Sequence, residues 1–383
     1  MLIKNHNQLK KIIDLFFTYL RLDFLPDTKF KLFNALKLTI LPMLYLFSCM
    51  CSSIHLFVQV EHYDDLIDVS FSLIFALAFF QCFMTMLTFL IANKNRILKV
   101  VEYFYKVINS DDLLISNLRQ KHYLRNTKLA LWLARVFMIG ITLVGVSVVS
   151  FDIYRAKTHF PLFFYIPWIS GSSIFYYPVN YIFQTSMYFI TLELTFGSDV
   201  IIMIMIMYCD AELRSLRELI ADLNDSNIIR ARASITMRTI HNVQLMIYEK
   251  ANELSNCFWH YYFYKLLTIT LYLCSLLFIF TKLDVSLIVP CLCFIAMTSQ
   301  VFVLCFFGQI IQSSSERMSE CLYMTKWYEM NVKDQRDFQM LMMTMQQPVT
   351  LETFGFGTIS IYTFVQIFKA ALSYATILYA VFK

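Results

Sequence analysis

The chain has 383 residues, of which 58% are hydrophobic and 17% aromatic, with a formal net charge of +5. A soluble domain is about 45–50% apolar, so this composition excludes an ordinary water-soluble fold and identifies a polytopic membrane protein. No secretory signal peptide is expected, because Lys10, Lys11 and Asp14 interrupt the first apolar run and no small-residue cleavage site follows.

The first element is a short amphipathic helix at 12–20, suited either to the membrane interface or to packing on a bundle. Seven apolar stretches then reach the ~20 residues a spanning helix needs. They lie at about 38–60, 69–92, 129–151, 179–208, 258–280, 285–311 and 359–382. Three further helices are predicted between them: 97–108 beyond the second span, 210–223 continuing the fourth, and 228–256 leading into the fifth. A cytoplasmic helix at 332–345 precedes Gly355 and Gly357, which flank Phe356 and give a flexible joint before the last span.

Charge orients these elements. Of 32 Lys and Arg residues, 25 fall in alternate segments starting with the N-terminus, four fall in the other segments, and Arg135, Lys265 and Lys369 lie inside spans. Positive residues stay on the cytoplasmic side. The expected fold is therefore all-α with seven transmembrane helices, the N-terminus inside and the C-terminus outside, and a cytoplasmic helical anchor domain. This is the inverse of a G-protein-coupled receptor. The predicted organisation is a cytoplasmic N-terminal segment at 1–37, six spans with inward extensions at 38–311, an anchor segment at 312–357 and a last helix at 358–383.

Chemistry of the enzyme kind is not legible. There is no P-loop, HExxH or Gly-x-Ser-x-Gly, the ten cysteines avoid the outer loops, and the seven histidines are scattered. No metal, cofactor or nucleic-acid partner is expected. Within the spans, Glu193 and Asp199 are the nearest approach to the paired carboxylates of a proton-coupled transporter. Binding remains. The outer half of the bundle carries Phe71, Phe75 and Phe79 on one face of the second span, then Ser147, Ser150, Phe151 and Tyr154 at the end of the third. The fourth begins with Tyr176, Tyr177, Tyr181, Thr185 and Tyr188. Aromatic walls with a few hydroxyls suit small, weakly polar molecules, although bundle packing uses the same residues. The last span carries a polar stripe, Gln366, Lys369, Ser373 and Thr376, on a helix that is otherwise apolar.

The C-terminal third reads F-x-x-C-F-F-G-Q-x-I at 302–311, Ser314-Ser315-Glu316, Leu322-Tyr323, Trp327-Tyr328, Gln347-Pro348 and Phe354-Gly355. It ends F-x-x-I-x-K-x-x-x-S-Y-x-x-x-L from Phe364 to Leu378. This order resembles the insect odorant receptor family. His-Phe-Pro-Leu at 159–162, Tyr165-Ile-Pro167, Tyr177 and Gln184 agree, as do His241, Leu245, Glu249, Glu253 and Leu254. The resemblance implies an odorant-gated, non-selective cation channel in the plasma membrane of olfactory sensory neurons. In it, four subunits surround a pore lined by the last helix, and small volatile odorants and co-receptor subunits are the partners. The short segment before the fifth span resembles a tuning subunit rather than the co-receptor. Gustatory receptors of the same superfamily are the second reading; an inverted metabotropic receptor or a transporter follows. The family's hydrophobic gate falls on Ile377 and Val381, with Ser373 and then Lys369 below them on the same face and Thr376 beside it. Trp327 and Tyr328 fall in the subunit anchor. The residues 71, 75, 79, 147, 150, 151, 154, 181, 185 and 188 named above are then the expected odorant pocket.

Overall fold

The computed structural model describes residues 1–22, 31–62, 66–92, 94–108, 115–155, 164–169, 171–282, 288–353 and 355–381. Ten α-helices make up almost all of them: α1 (Leu2–Arg21), α2 (Lys31–His62), α3 (Leu66–Leu87), α4 (Lys94–Ile108), α5 (Ser116–Arg155), α6 (Tyr176–Ala221), α7 (Ser226–Lys282), α8 (Ile288–Tyr323), α9 (Val332–Met345) and α10 (Ile361–Val381). Seven of them, α2, α3, α5, α6, α7, α8 and α10, are long and apolar enough to cross a membrane, the number read from the sequence. The protein is a multi-pass membrane protein.

Several helices run far past the bilayer. At 1.5 Å per residue the 57 residues of α7 extend about 85 Å, against a hydrocarbon core of ~30 Å. The predicted extension at 228–256 is an unbroken part of α7, and that at 210–223 continues α6 to Ala221, where a 3-10 turn at Asp222–Asn224 ends it. Helix α5 starts well before its apolar stretch because the charges there find partners on α6. Arg119 donates to Glu212 Oε1 from Nε at 2.8 Å and from the terminal nitrogen at 2.5 Å, and Lys121 reaches Glu218 at 2.6 Å. The segment at 97–108 is helical as expected (α4), but a π-helical turn at Thr88–Ala92 separates it from α3.

Helix α1 packs on the bundle. Leu2, His6, Leu9, Ile13, Phe17 and Leu20, at three- and four-residue steps, are buried against α5, α6 and α2. His6 Nδ1 lies 2.7 Å from the Tyr208 hydroxyl of α6, and burial, with Lys10 adding to it, lowers the His6 pKa. Among the described residues the one β element is a two-stranded antiparallel ribbon, β1 (Glu352–Thr353) and β2 (Gly357–Thr358). It turns the chain from α9 into α10 with Gly355 at φ 79° and Gly357 at φ 71°, the left-handed region that glycine tolerates. The ribbon is tied down: Glu352 N–H donates to Ser255 Oγ at 3.3 Å and the Thr353 hydroxyl to the Trp259 carbonyl at 3.1 Å, both on α7.

The entry to α10 depends on one close approach. A Cβ at Gly308 of α8 would stand 2.2 Å from the Ile359 carbonyl oxygen, a backbone atom that cannot rotate away. Gly308→Ala is expected to displace the start of α10 and to destabilise by about 1–3 kcal/mol, as overpacking does. A lowered unfolding midpoint of the purified protein and reduced surface amount are the measurements.

Candidate functional site

Two regions carry the polar and aromatic side chains singled out above. The first is an aromatic cluster among α2, α3, α6 and the segment at 164–169. Phe75 and Phe79 lie one turn apart on α3, with ring centroids 6.2 Å apart. Phe164 closes on both, at 6.0 and 5.2 Å; Tyr188 of α6 stands 6.3 Å from Phe75, and Tyr45 of α2 stands 6.2 Å from Phe79. Phe79 and Phe164 are fully enclosed, so offset and edge-on ring contacts hold the cluster together.

The sequence-predicted pocket residues divide. Phe75, Phe79 and Tyr188 are brought together. Tyr181 stacks on Tyr177, ring planes 9° apart, outside that cluster, and Thr185 is half-buried on α6. Ser147 and Ser150 are exposed on α5, and the Ser147 hydroxyl donates to the Leu143 carbonyl at 2.8 Å. The side chains of Phe71, Phe151 and Tyr154 lie outside the described residues. Tyr45 and Phe164, which the sequence reading did not select, are at the centre. Phe164 sits in a segment without helical period, so no pattern marked it.

The second region is α10. It packs chiefly against α7 and α8. Thr363, Ile367, Ala371 and Ala375 form its buried seam at a four-residue step, three of them small residues that allow close helix contact, and Phe364 and Phe368 pack edge-on against Phe302 (5.6 Å) and Phe294 (5.9 Å) of α8. The opposite face is open. Gln366, Lys369, Ser373, Thr376 and Ile377 are all exposed and fall on one stripe; the Val381 side chain lies outside the described residues. Trp327 and Tyr328 sit in a turn between α8 and α9, where Trp327 stacks on Phe338 with ring planes 16° apart and Tyr328 is exposed.

A buried ionic centre joins α6, α7 and α8. Asp199 of α6 and Lys265 of α7, 4% and 0% exposed, form a salt bridge. Tyr261 donates to the same carboxylate oxygen at 2.9 Å and receives a hydrogen bond from the Lys265 ammonium at 2.9 Å. Gln300 of α8 donates to the other oxygen at 2.9 Å. One carboxylate thus joins three helices, two of which form the seat of α10. A second buried carboxylate, Asp210, repeats the arrangement nearer the basic end of the bundle. It accepts from Asn126 of α5 (2.9 Å), Arg214 (2.6 Å) and Ser314 of α8 (2.6 Å). The sequence placed Asp199 and Lys265 in spans but offered no signal that they pair across 66 positions.

Removing one charge leaves the other buried. Lys265→Met is expected to cost about 3–5 kcal/mol, and Asp199→Asn/Lys265→Met to recover much of it. Thermal unfolding of the detergent-purified variants measures both.

A family model described as 7tm Odorant receptor matches residues 65–372. Over 93 residues, 24% of this chain and 23% of the relative, the sequence is 28% identical to Odorant receptor 2a of Drosophila melanogaster, so the match spans less than a quarter of that protein. The fold is similar to the insect olfactory receptor OR5 from Machilis hrabei in complex with eugenol, with TM-score 0.76, 16% identity and coverage of 98% of this chain and 100% of that one. A second structure of the same receptor gives 0.77 and 14%, covering 98% and 99%.

Proposed function

The chain belongs to the insect odorant receptor family, and from that premise we propose that it is the odorant-binding subunit of an odorant-gated, non-selective cation channel, assembled with co-receptor subunits around a shared pore. The observation that carries the proposal is the open face of α10. A lysine directed at lipid in mid-span costs ~2.5–3.5 kcal/mol on insertion scales, and here Lys369 shares its exposed stripe with Gln366, Ser373 and Thr376. A spanning helix with such a face needs water or a neighbouring subunit on that side. The charge bias of the loops supports an orientation with the N-terminus inside and the C-terminus outside. The exposed Tyr323 at the end of α8, with Met324 and Tyr328 just beyond it, supports an anchor that meets other subunits there.

In this reading a small volatile molecule binds at the aromatic cluster, mainly by burying apolar surface, and binds better to the state in which α10 has moved outward. Only that difference in affinity opens the pore. Ile377, 54% exposed at the outer part of the stripe, and Val381 one turn on form the narrow point. They close it by excluding water. The Gly355/Gly357 turn is where α10 changes angle relative to α9.

Recording from cells that express this chain with a co-receptor under an odorant panel tests the proposal. Odorant-evoked cation current is expected, with Ile377→Ala raising current in the absence of odorant. A C-terminal tag should stain on intact cells. Absence of odorant current with both chains at the surface overturns the proposal. The Lys369 charge adds a quantitative expectation. A unit charge about 7 Å away in water acts on a monovalent cation with ~0.6 kcal/mol, about one RT, or roughly threefold in rate. The effect doubles in energy for a divalent ion. Lys369→Gln is therefore expected to raise calcium permeability relative to sodium, read from the shift in reversal potential.

A further inference from the structure

The α2 wall of the aromatic cluster carries polar groups that the proposed function leaves unused. Tyr45, Ser48, Ser52 and His55 recur at three- and four-residue steps and share one face of α2. That face looks into the bundle: Ser52 is 0% and His55 8% exposed. Its lower part is satisfied and belongs to the cluster. The Tyr45 ring touches Phe79 and its hydroxyl receives a hydrogen bond from Thr191 at 3.3 Å. Ser48 donates to its own helix, at the Leu44 carbonyl, 2.9 Å away.

The upper part is different. Ser52 Oγ, His55 Nδ1 and His55 Nε2 are all enclosed, and none has a hydrogen-bond partner among the described residues. A serine in a helix can return its proton to the carbonyl four residues back, as the neighbouring Ser53 does at 2.8 Å; Ser52 does not. Three buried polar atoms without protein partners within one turn of a spanning helix are costly, because each forfeits the hydrogen bonds it would make in water. The segment at 164–169 packs on this part of α2 at His55. The Tyr165 ring stands edge-on to His55, centroids 5.0 Å apart, and its neighbour Phe164 is the ring that closes the aromatic cluster. Among the described residues the segment is tied to α6 by the hydrogen bond that Ile166 N–H donates to the Asn180 side-chain oxygen at 2.8 Å, and by ring contacts of Phe164 with Phe183 and Tyr165 with Tyr176.

We infer that Ser52 and His55 form a hydrogen-bonding subsite of the odorant pocket, one that takes a ligand oxygen and fits an alcohol best. The inference rests on reading the aromatic cluster as the odorant site. A neutral imidazole offers one donor and one acceptor, and the serine hydroxyl offers both. An alcohol can donate and accept in return, a ketone can only accept, and an alkane can do neither. The ligand oxygen reaches the two side chains by displacing the Tyr165 ring. The missing hydrogen bonds are therefore made only once the segment at 164–169 has moved, so oxygen-bearing ligands favour the displaced state beyond what apolar burial gives.

The test is odorant-evoked current from the receptor with its co-receptor under alcohols, ketones and hydrocarbons matched in carbon skeleton, both straight-chain and phenyl-substituted. For the best skeleton the alcohol is expected to be the most potent, the ketone roughly tenfold weaker and the hydrocarbon weakest, on the scale of one hydrogen bond per step. His55→Phe keeps a ring but removes both nitrogens. It is expected to weaken alcohols about tenfold while moving hydrocarbons less than about twofold, with His55→Gln restoring most of the alcohol response and Ser52→Ala weakening it in part. Where His55→Phe does not reach the surface, His55→Gln and Ser52→Ala carry the comparison against the wild-type ranking. An equal shift for all three classes, or no shift, overturns the subsite and leaves odorant gating standing. Silence to every compound with both chains at the surface overturns both.

Discussion

Asp199 and Lys265 are opposite charges buried in the middle of a membrane protein, where each alone is prohibitively expensive. The pair is tolerable because the carboxylate is saturated: Lys265 and Tyr261 meet one oxygen and Gln300 the other. That requirement sets the register of α6, α7 and α8 relative to one another. A sliding of α6 by one helical turn, about 5.4 Å, would break all three of these bonds together. Apolar packing alone has no such discrimination, since lipid is as apolar as leucine and helix contacts in a membrane are non-specific without polar groups or small residues.

The same logic explains the central position of α6. Along one helix, Asp199, Asp210 and Glu212 face α7 and α8, α5 and α8, and α5 in turn. The long inner helices are therefore tied to the membrane part by charge-assisted hydrogen bonds. Helix α1 adds a lid over that end, with His6 against Tyr208 and Phe17 against Phe89.

Much of this architecture was legible in the sequence because it depends on local properties. Hydropathy located seven spans, and the 3.6-residue period found the extensions of α6 and α7 beyond them. Helix α9 was equally plain at Val332–Met345, where Asn331 caps the first turn by accepting from Asp334 N–H at 2.8 Å. What could not be read depends on partners distant in sequence. Lys265 was visible as a charge within a span, but its counter-charge is on another helix. Ser147 and Tyr188 carry similar chemistry at the same bundle depth, yet one is exposed and the other joins Phe75, because helix rotation decides the outcome. No pattern marked His55 as a hydrogen-bonding wall residue, since only burial shows that its nitrogens find no partners among the described residues.

The contact between Gly308 and Ile359 gives α10 a mechanical property. Ribbon and glycine together fix its first residues to α7 and α8, while its far end, from Leu372 to Tyr379, is mostly exposed. A rod held at one end acts as a lever. Ile377 lies 16 residues beyond Ile361, or about 24 Å along the axis, so a tilt of only ~5° about the fixed end carries it ~2 Å sideways. A displacement on the scale of an atomic radius at the far end thus needs little change at the fulcrum. Larger residues in the seam of Ala371 and Ala375 would act on that angle directly, as wedges.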